Sequence, residues 1–257
     1  ITMEVQSTAG FELVDQLTLN NASATMTGTG ATGSLYFDKV TLTAGTLDVT
    51  GYSLIANEAV IVDGGTFTGG AEAADFNGAI TISGGTFNAT SGTMTVADGF
   101  THTAGGTFNH NGGTVEFDTT TGGVYDVAVS ETFNNVAINK AGGIVTITSD
   151  DTLVVLGTLS LTDGRFNTGT LDARGAVTVA ATYDAATSPM TFSGGATQIF
   201  TVGIATSIDG DITINKTGGS AVEQSGTLTL NAASQDLTVT AGTYDLNGSD
   251  LTVNGTT

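Results

Sequence analysis

The sequence predicts an all-β fold, a parallel β-solenoid with about three short strands in each coil of roughly 20 residues. Three observations predict it. The phrase Gly-Gly-Thr-Phe recurs at residues 64–67, 84–87 and 105–108, and a looser copy, Ala-Gly-Thr-Leu, stands at 44–47. Thr, Val and Gly dominate the chain, and β-branched residues favour strands. Gly, Asn or Asp closes many of the short β-rich runs, with turns roughly six to nine residues apart, closer than the 8–12 usual in antiparallel sandwiches.

The elements follow in chain order. Residues 1–34 carry strand-like runs at 3–6 and 11–19 before the clear period begins, and are read as an N-terminal segment that caps the first coil or pairs with a neighbour by strand addition. Residues 35–257 are read as the solenoid repeats. The coil opened by Gly45 holds runs at 46–49, 53–56 and 59–62; the next has 66–68, 74–77 and 79–83; the third has 86–88, 93–97 and 100–103. Successive coils lie about 4.8 Å apart, so equivalent residues stack. Leu47, Phe67, Phe87 and Phe108 should therefore form an inward ladder, with the Thr before each pointing outward. The Gly before that Thr turns the corner at positive φ without a Cβ penalty.

The second half repeats more loosely. Residues 133–143 ("FNNVAINKAGG") resemble 209–219 ("DGDITINKTGG"), and "GTLSL" at 157–161 resembles "GTLTL" at 226–230, which suggests a super-repeat of several coils. The tail from Leu228 reads as four further short strands still in repeat register, so the last coil is expected to be open. An open coil presents unpaired backbone groups to another strand. The chain starts at Ile1 and has no membrane-length apolar run, which suggests a processed, exported protein or a piece of a longer one.

Composition excludes several functions. Five Lys and Arg stand against 25 Asp and Glu, a formal charge of −20, and nucleic-acid phosphates need the opposite sign. An anionic membrane surface is disfavoured for the same reason. With no Cys, disulfides and thiolate metal sites are ruled out. Trp, the usual sugar-stacking platform, is also absent, and the five Tyr are dispersed. Phe falls mainly at core-like positions.

Candidate chemistry is sparse. Asp150 and Asp151 are adjacent in a turn-like "SDD", and Asp209 and Asp211 flank a Gly in "DGD". Carboxylates suit calcium, so these four are the candidate cation ligands. Neighbours along a strand point to opposite faces, which weakens Asp150 and Asp151 as an acid/base pair. His102 and His110 lack a third ligand at useful spacing and read as surface residues. The Lys and Arg residues are scattered and form no phosphate cradle. Sequons at Asn21, Asn88, Asn215, Asn247 and Asn254 are glycosylation candidates in an exported protein. Thr-x-Thr pairs abound, as on ice-binding solenoids, but these pairs do not recur at one fixed phase of the period.

Stretches such as "SGTMTV", "AGGTFNHNGGTVEFD", "ETFNNVAINKAGGIVTI" and "LGTLSLTDG" resemble the parallel β-helix repeats of secreted bacterial surface proteins, of adhesin and autotransporter-passenger type. The likeness covers roughly residues 35–257. It implies a secreted or cell-surface location, an elongated structural or adhesive role, and no catalytic residues. The expected partners are further copies joined head to tail or flanking repeats, with surface glycans beside them. A carbohydrate-binding or polysaccharide-acting β-helix is the alternative, and ice binding a lesser one.

Overall fold

A computed structural model of the chain describes residues 2–5, 11–12, 15–28, 33–118, 122–203 and 208–254. Every regular element among them is a β-strand, and the registered pairings between strands are parallel. The chain is a β-solenoid of about 11 turns. Among the described residues no helix is long and apolar enough to cross a membrane. The coils divide into two units, residues 1–116 with 123–128, and residues 117–122 with 129–257.

In the first unit each coil has three faces. Strands Gln16–Gly28, Lys39–Asp48, Val60–Thr68 and Ile80–Asn88 each supply two of them, turning a corner partway along. Gly33–Phe37, Tyr52–Ala56, Ala74–Phe76 and Thr93–Val96 supply the third. The runs read from sequence fall on these strands, with one difference. The break expected at the Gly-Gly corner is a bulge inside a single strand, with the register shifting between Asp63 and Thr66. Backbone pairing to the neighbouring coil continues on both sides of the corner, so the strand is bent there and not ended.

The predicted ladder is present. Met26, Leu47, Phe67, Phe87 and Phe108 are partners in successive coils, and all are buried. The Phe67 and Phe87 rings stack with centroids 4.5 Å apart, Phe108 continues the stack at 5.9 Å, and Phe76 meets Phe67 edge-on at 6.2 Å. Offset and edge-on pairs of this kind add about 0.5–1.5 kcal/mol each beyond area burial. Met26 lies upstream of residue 35. The strand Thr2–Val5 extends the same register, Met3 pairing with Met26.

Gly65 shows why the corner needs its glycine. Its φ is +69°, and a Cβ there would lie 2.6 Å from the Gly45 carbonyl oxygen in the coil before. Glycine therefore stacks on glycine, because neither left-handed backbone nor the inter-coil gap admits a side chain. Gly106 departs from the expectation: its φ is not positive, and crowding by Ile82 Cγ2, 2.5 Å from a Cβ built there, excludes larger residues instead.

The second unit repeats the three-faced coil with more drift. Strands Asn135–Val155 and Leu159–Ala173 each run through two corners. Inward positions Val136, Leu159, Val177 and Phe200 stack on one face, and Leu153, Leu171, Met190, Ile212 and Leu237 on another. These stacks correct the super-repeat reading. Val136–Ile138 and Ile212–Ile214, the matched cores of the two similar phrases, occupy different faces. Every face asks for the same alternation of β-branched and polar residues, so likeness of wording does not report phase.

Inward positions of the last described coil differ from those above it. In Ile212–Asn215 the apolar residues are buried, whereas in Leu237–Ala241 and Leu251–Val253 they are not: Val239 is 49% and Val253 51% exposed.

Candidate functional site

Alternation along strands sends some polar residues inward, and among those buried in the second unit are four long side chains, three Gln and one Lys. In Gln198–Val202 the inward set is Gln198, Phe200 and Val202; past Ile212 and Ile214 it reaches Lys216; in Ala221–Ser225 it includes Gln224; Gln235 sits before Leu237. All four are buried. A buried polar group must be hydrogen-bonded to be tolerated, and each of these reaches neighbouring backbone. Gln198 Nε2 donates to the carbonyls of Ala173 (2.9 Å) and Gly175 (2.6 Å). Gln235 Nε2 donates to Ile208 (2.6 Å) and Gly210 (3.0 Å). Gln224 Nε2 donates to Gly226 and Asp250, both at 2.7 Å, while its Oε1 accepts from the Tyr244 hydroxyl at 2.8 Å. Burial pushes the Tyr244 phenol well above its ordinary pKa.

Each glutamine thus clamps carbonyls near a corner, and those of Ala173 and Asp250 also accept a backbone amide from a neighbouring coil, from Ser193 and Leu228. Gln235→Leu leaves Ile208 and Gly210 without that donor. We expect it to lower stability by about 1–3 kcal/mol, the usual cost of stranding buried acceptors, seen as a reduced urea midpoint.

Lys216 is the unusual member, at 2% exposure. Its Nζ donates to the Ser193 carbonyl at 2.6 Å and to Gln198 Oε1. Desolvation lowers its pKa from the ordinary value, and the negative charge of Asp172 partly opposes that shift. Asp172 itself is paired with Arg174 Nε at 3.0 Å. The backbone makes room for Lys216 through Gly242, at φ +85°, where a Cβ would stand 2.5 Å from the Lys216 Cβ.

On the outside of the first unit, the residues flanking the inward ladder form a polar strip. Thr25, Thr46, Thr66, Thr86 and Thr107 are in register, and two residues on stand Thr27, Asp48, Thr68, Asn88 and Asn109. Asn109 Nδ2 donates to Asn88 Oδ1 at 2.8 Å. The first threonine does recur at one phase, while the second position varies, which is why complete Thr-x-Thr pairs look irregular in the sequence.

The predicted site residues are dispersed. Asp150 is exposed at φ +72° in a bulged corner of Asn135–Val155, and Asp151 beside it is buried. Asp209 is half-buried; Asp211 is exposed, its Oδ1 accepting from the Asp236 amide at 2.9 Å. Among the described residues no three His, Asp or Glu side chains are grouped closely enough to hold a metal ion. His102 ends Gly99–His102, and His110 Nδ1 accepts from the Gly112 amide at 3.0 Å. Of the sequon asparagines, Asn21, Asn215, Asn247 and Asn254 are exposed and Asn88 is half-buried. The Asn88 sequon's hydroxyl, on Thr90, is buried and bonded to the Gly70 and Glu72 carbonyls.

Compared with protein-family models, with curated proteins and with solved structures, the chain gives no match. Its architecture therefore rests on strand register, and its chemistry on the residues just described.

Proposed function

We propose that the chain is a non-catalytic structural or adhesive solenoid of an extracellular surface assembly, extended by parallel coil-on-coil pairing with further copies or flanking repeats. The observation that carries this reading is the distribution of aromatic side chains. Every described Phe side chain is buried in the coil interior, and the strip outside the first unit's ladder is Thr, Asn and Asp in register. A sugar-acting cleft needs aromatic platforms and grouped acids facing solvent, whereas here Tyr36 is the one exposed aromatic ring among the described residues. The exposed inward positions Val239 and Val253 add a surface that another parallel coil would cover.

Negative-stain electron microscopy across protein and calcium concentrations tests the reading. We expect end-to-end strings that lengthen with concentration, and calcium dependence would give the acidic side chains a part in it. Dispersed single particles at every concentration would count against self-assembly, and turnover of an acidic polysaccharide would overturn the non-catalytic reading.

Ice binding is a second reading, favoured by the in-register threonines of the first unit. It expects inhibition of ice recrystallisation that is lost on replacing Thr66 and Thr86 with a bulky residue such as Tyr, with the fold retained by circular dichroism.

A further inference from the structure

We propose that Lys216 and Gln198 join covalently, forming an intramolecular isopeptide bond that ties two successive coils together. The two side chains are in contact in a sealed corner: Lys216 Nζ meets Gln198 Oε1, and both residues are 2% exposed. Neither is free to turn away. The amine is also held by the Ser193 carbonyl, and the carboxamide by the carbonyls of Ala173 and Gly175. The partners are 18 residues apart in sequence, on adjacent coils.

Three physical conditions for amide exchange meet here. Desolvation favours the neutral amine, which is the nucleophilic form of lysine. Fixed contact replaces a bimolecular encounter, and well-oriented intramolecular reactions reach effective molarities of about 10⁵–10⁸ M. Exclusion of water removes hydrolysis as the competing fate of the carboxamide.

The step balances without a co-reactant. Neutral Lys216 Nζ attacks Gln198 Cδ, a new Cδ–Nζ bond forms, and the Cδ–Nε2 bond breaks. One proton passes from Nζ to Nε2, which leaves as ammonia. The other stays on the new amide nitrogen, still directed at the Ser193 carbonyl. As Nε2 gains hydrogen it remains against the Ala173 and Gly175 carbonyls, which accept from it throughout. The product is a neutral secondary amide in place of a buried amine, which removes the desolvation penalty on a charged Lys216.

Intact-mass spectrometry of the purified, folded chain is the test. We expect a deficit of one ammonia relative to the sequence, and a tryptic map in which cleavage after Lys216 is blocked and the fragment spanning Gln198 and Lys216 carries the deficit. Lys216→Arg keeps a cation but supplies no reactive amine, and should show the full sequence mass whether or not it folds as stably. A wild-type chain at full mass with normal cleavage after Lys216 overturns the proposal. So does a deficit that persists in Lys216→Arg, since that would place the ammonia loss at an asparagine elsewhere.

Discussion

Phe87→Ala is expected to destabilise the first unit by about 3–5 kcal/mol, the range for emptying a buried aromatic position, and to lower its urea midpoint accordingly. Phe87 is fully buried and touches rings on three sides: Phe67 at 4.5 Å, Phe108 at 5.9 Å and Phe76 at 6.0 Å. Strand pairing fixes it on both flanks, Phe67 in one coil and Phe108 in the other, so the neighbours cannot close over the gap without breaking register. In a stacked array the loss acts on two inter-coil interfaces at once. Phe87→Leu keeps most of the volume and should cost clearly less. Equal effects of the two substitutions would show that the ring stack contributes little.

Gly65→Val is expected to be comparably damaging through the backbone. Left-handed φ costs an ordinary residue about 1–2 kcal/mol, and a β-branched one is a genuine outlier there. At +69° the new Cβ would also stand 2.6 Å from the Gly45 carbonyl oxygen and 2.9 Å from the Ala44 carbonyl carbon. Relief requires the coils to separate, which breaks the pairing of Val60–Thr68 with Lys39–Asp48. Gly51 makes the control: its φ is also positive, at +85°, but a Cβ there meets nothing within 4 Å, so Gly51→Ala should show only the backbone cost. If both substitutions behave alike in thermal melts, inter-coil crowding at the corner is not the reason for the glycine.

Much of this was legible in the sequence because a parallel coil puts like residues in contact. The Gly-Thr-apolar step marks corner, outward rung and inward rung together, and Leu47, Phe67, Phe87 and Phe108 form the ladder it implies. Met26 was harder to see, since Ala-Thr-Met lacks the glycine that flags the step, although its register is the same. Wording misled in the second unit, where similar phrases belong to different faces.

The polar interior is hard to read for a different reason. Lysine and glutamine are ordinarily surface residues, so residue type alone sets Lys216 among the scattered cations. The signal was nonetheless there: Ile212, Ile214 and Lys216 share one parity, as do Gln198, Phe200 and Val202. Alternation placed them inside, and residue chemistry argued against alternation. What the sequence did not carry was which carbonyls would receive them, because, Gly226 apart, those lie 23 to 27 residues away across the stack.

The bulged corners carry one more implication. From Val136 to Leu159, Val177 and Phe200 the intervals are 23, 18 and 23 residues, yet the inward face stays aligned. Spare residues are taken up at the bends, and the flat stretches between them keep their count. Such a chain tolerates gain or loss of length at a bend without retuning its neighbours, while a single residue inserted into a flat stretch would turn that stretch's core outward. Lengthening by whole windings, and trimming at the bends, are thus the routes by which a protein of this design can drift.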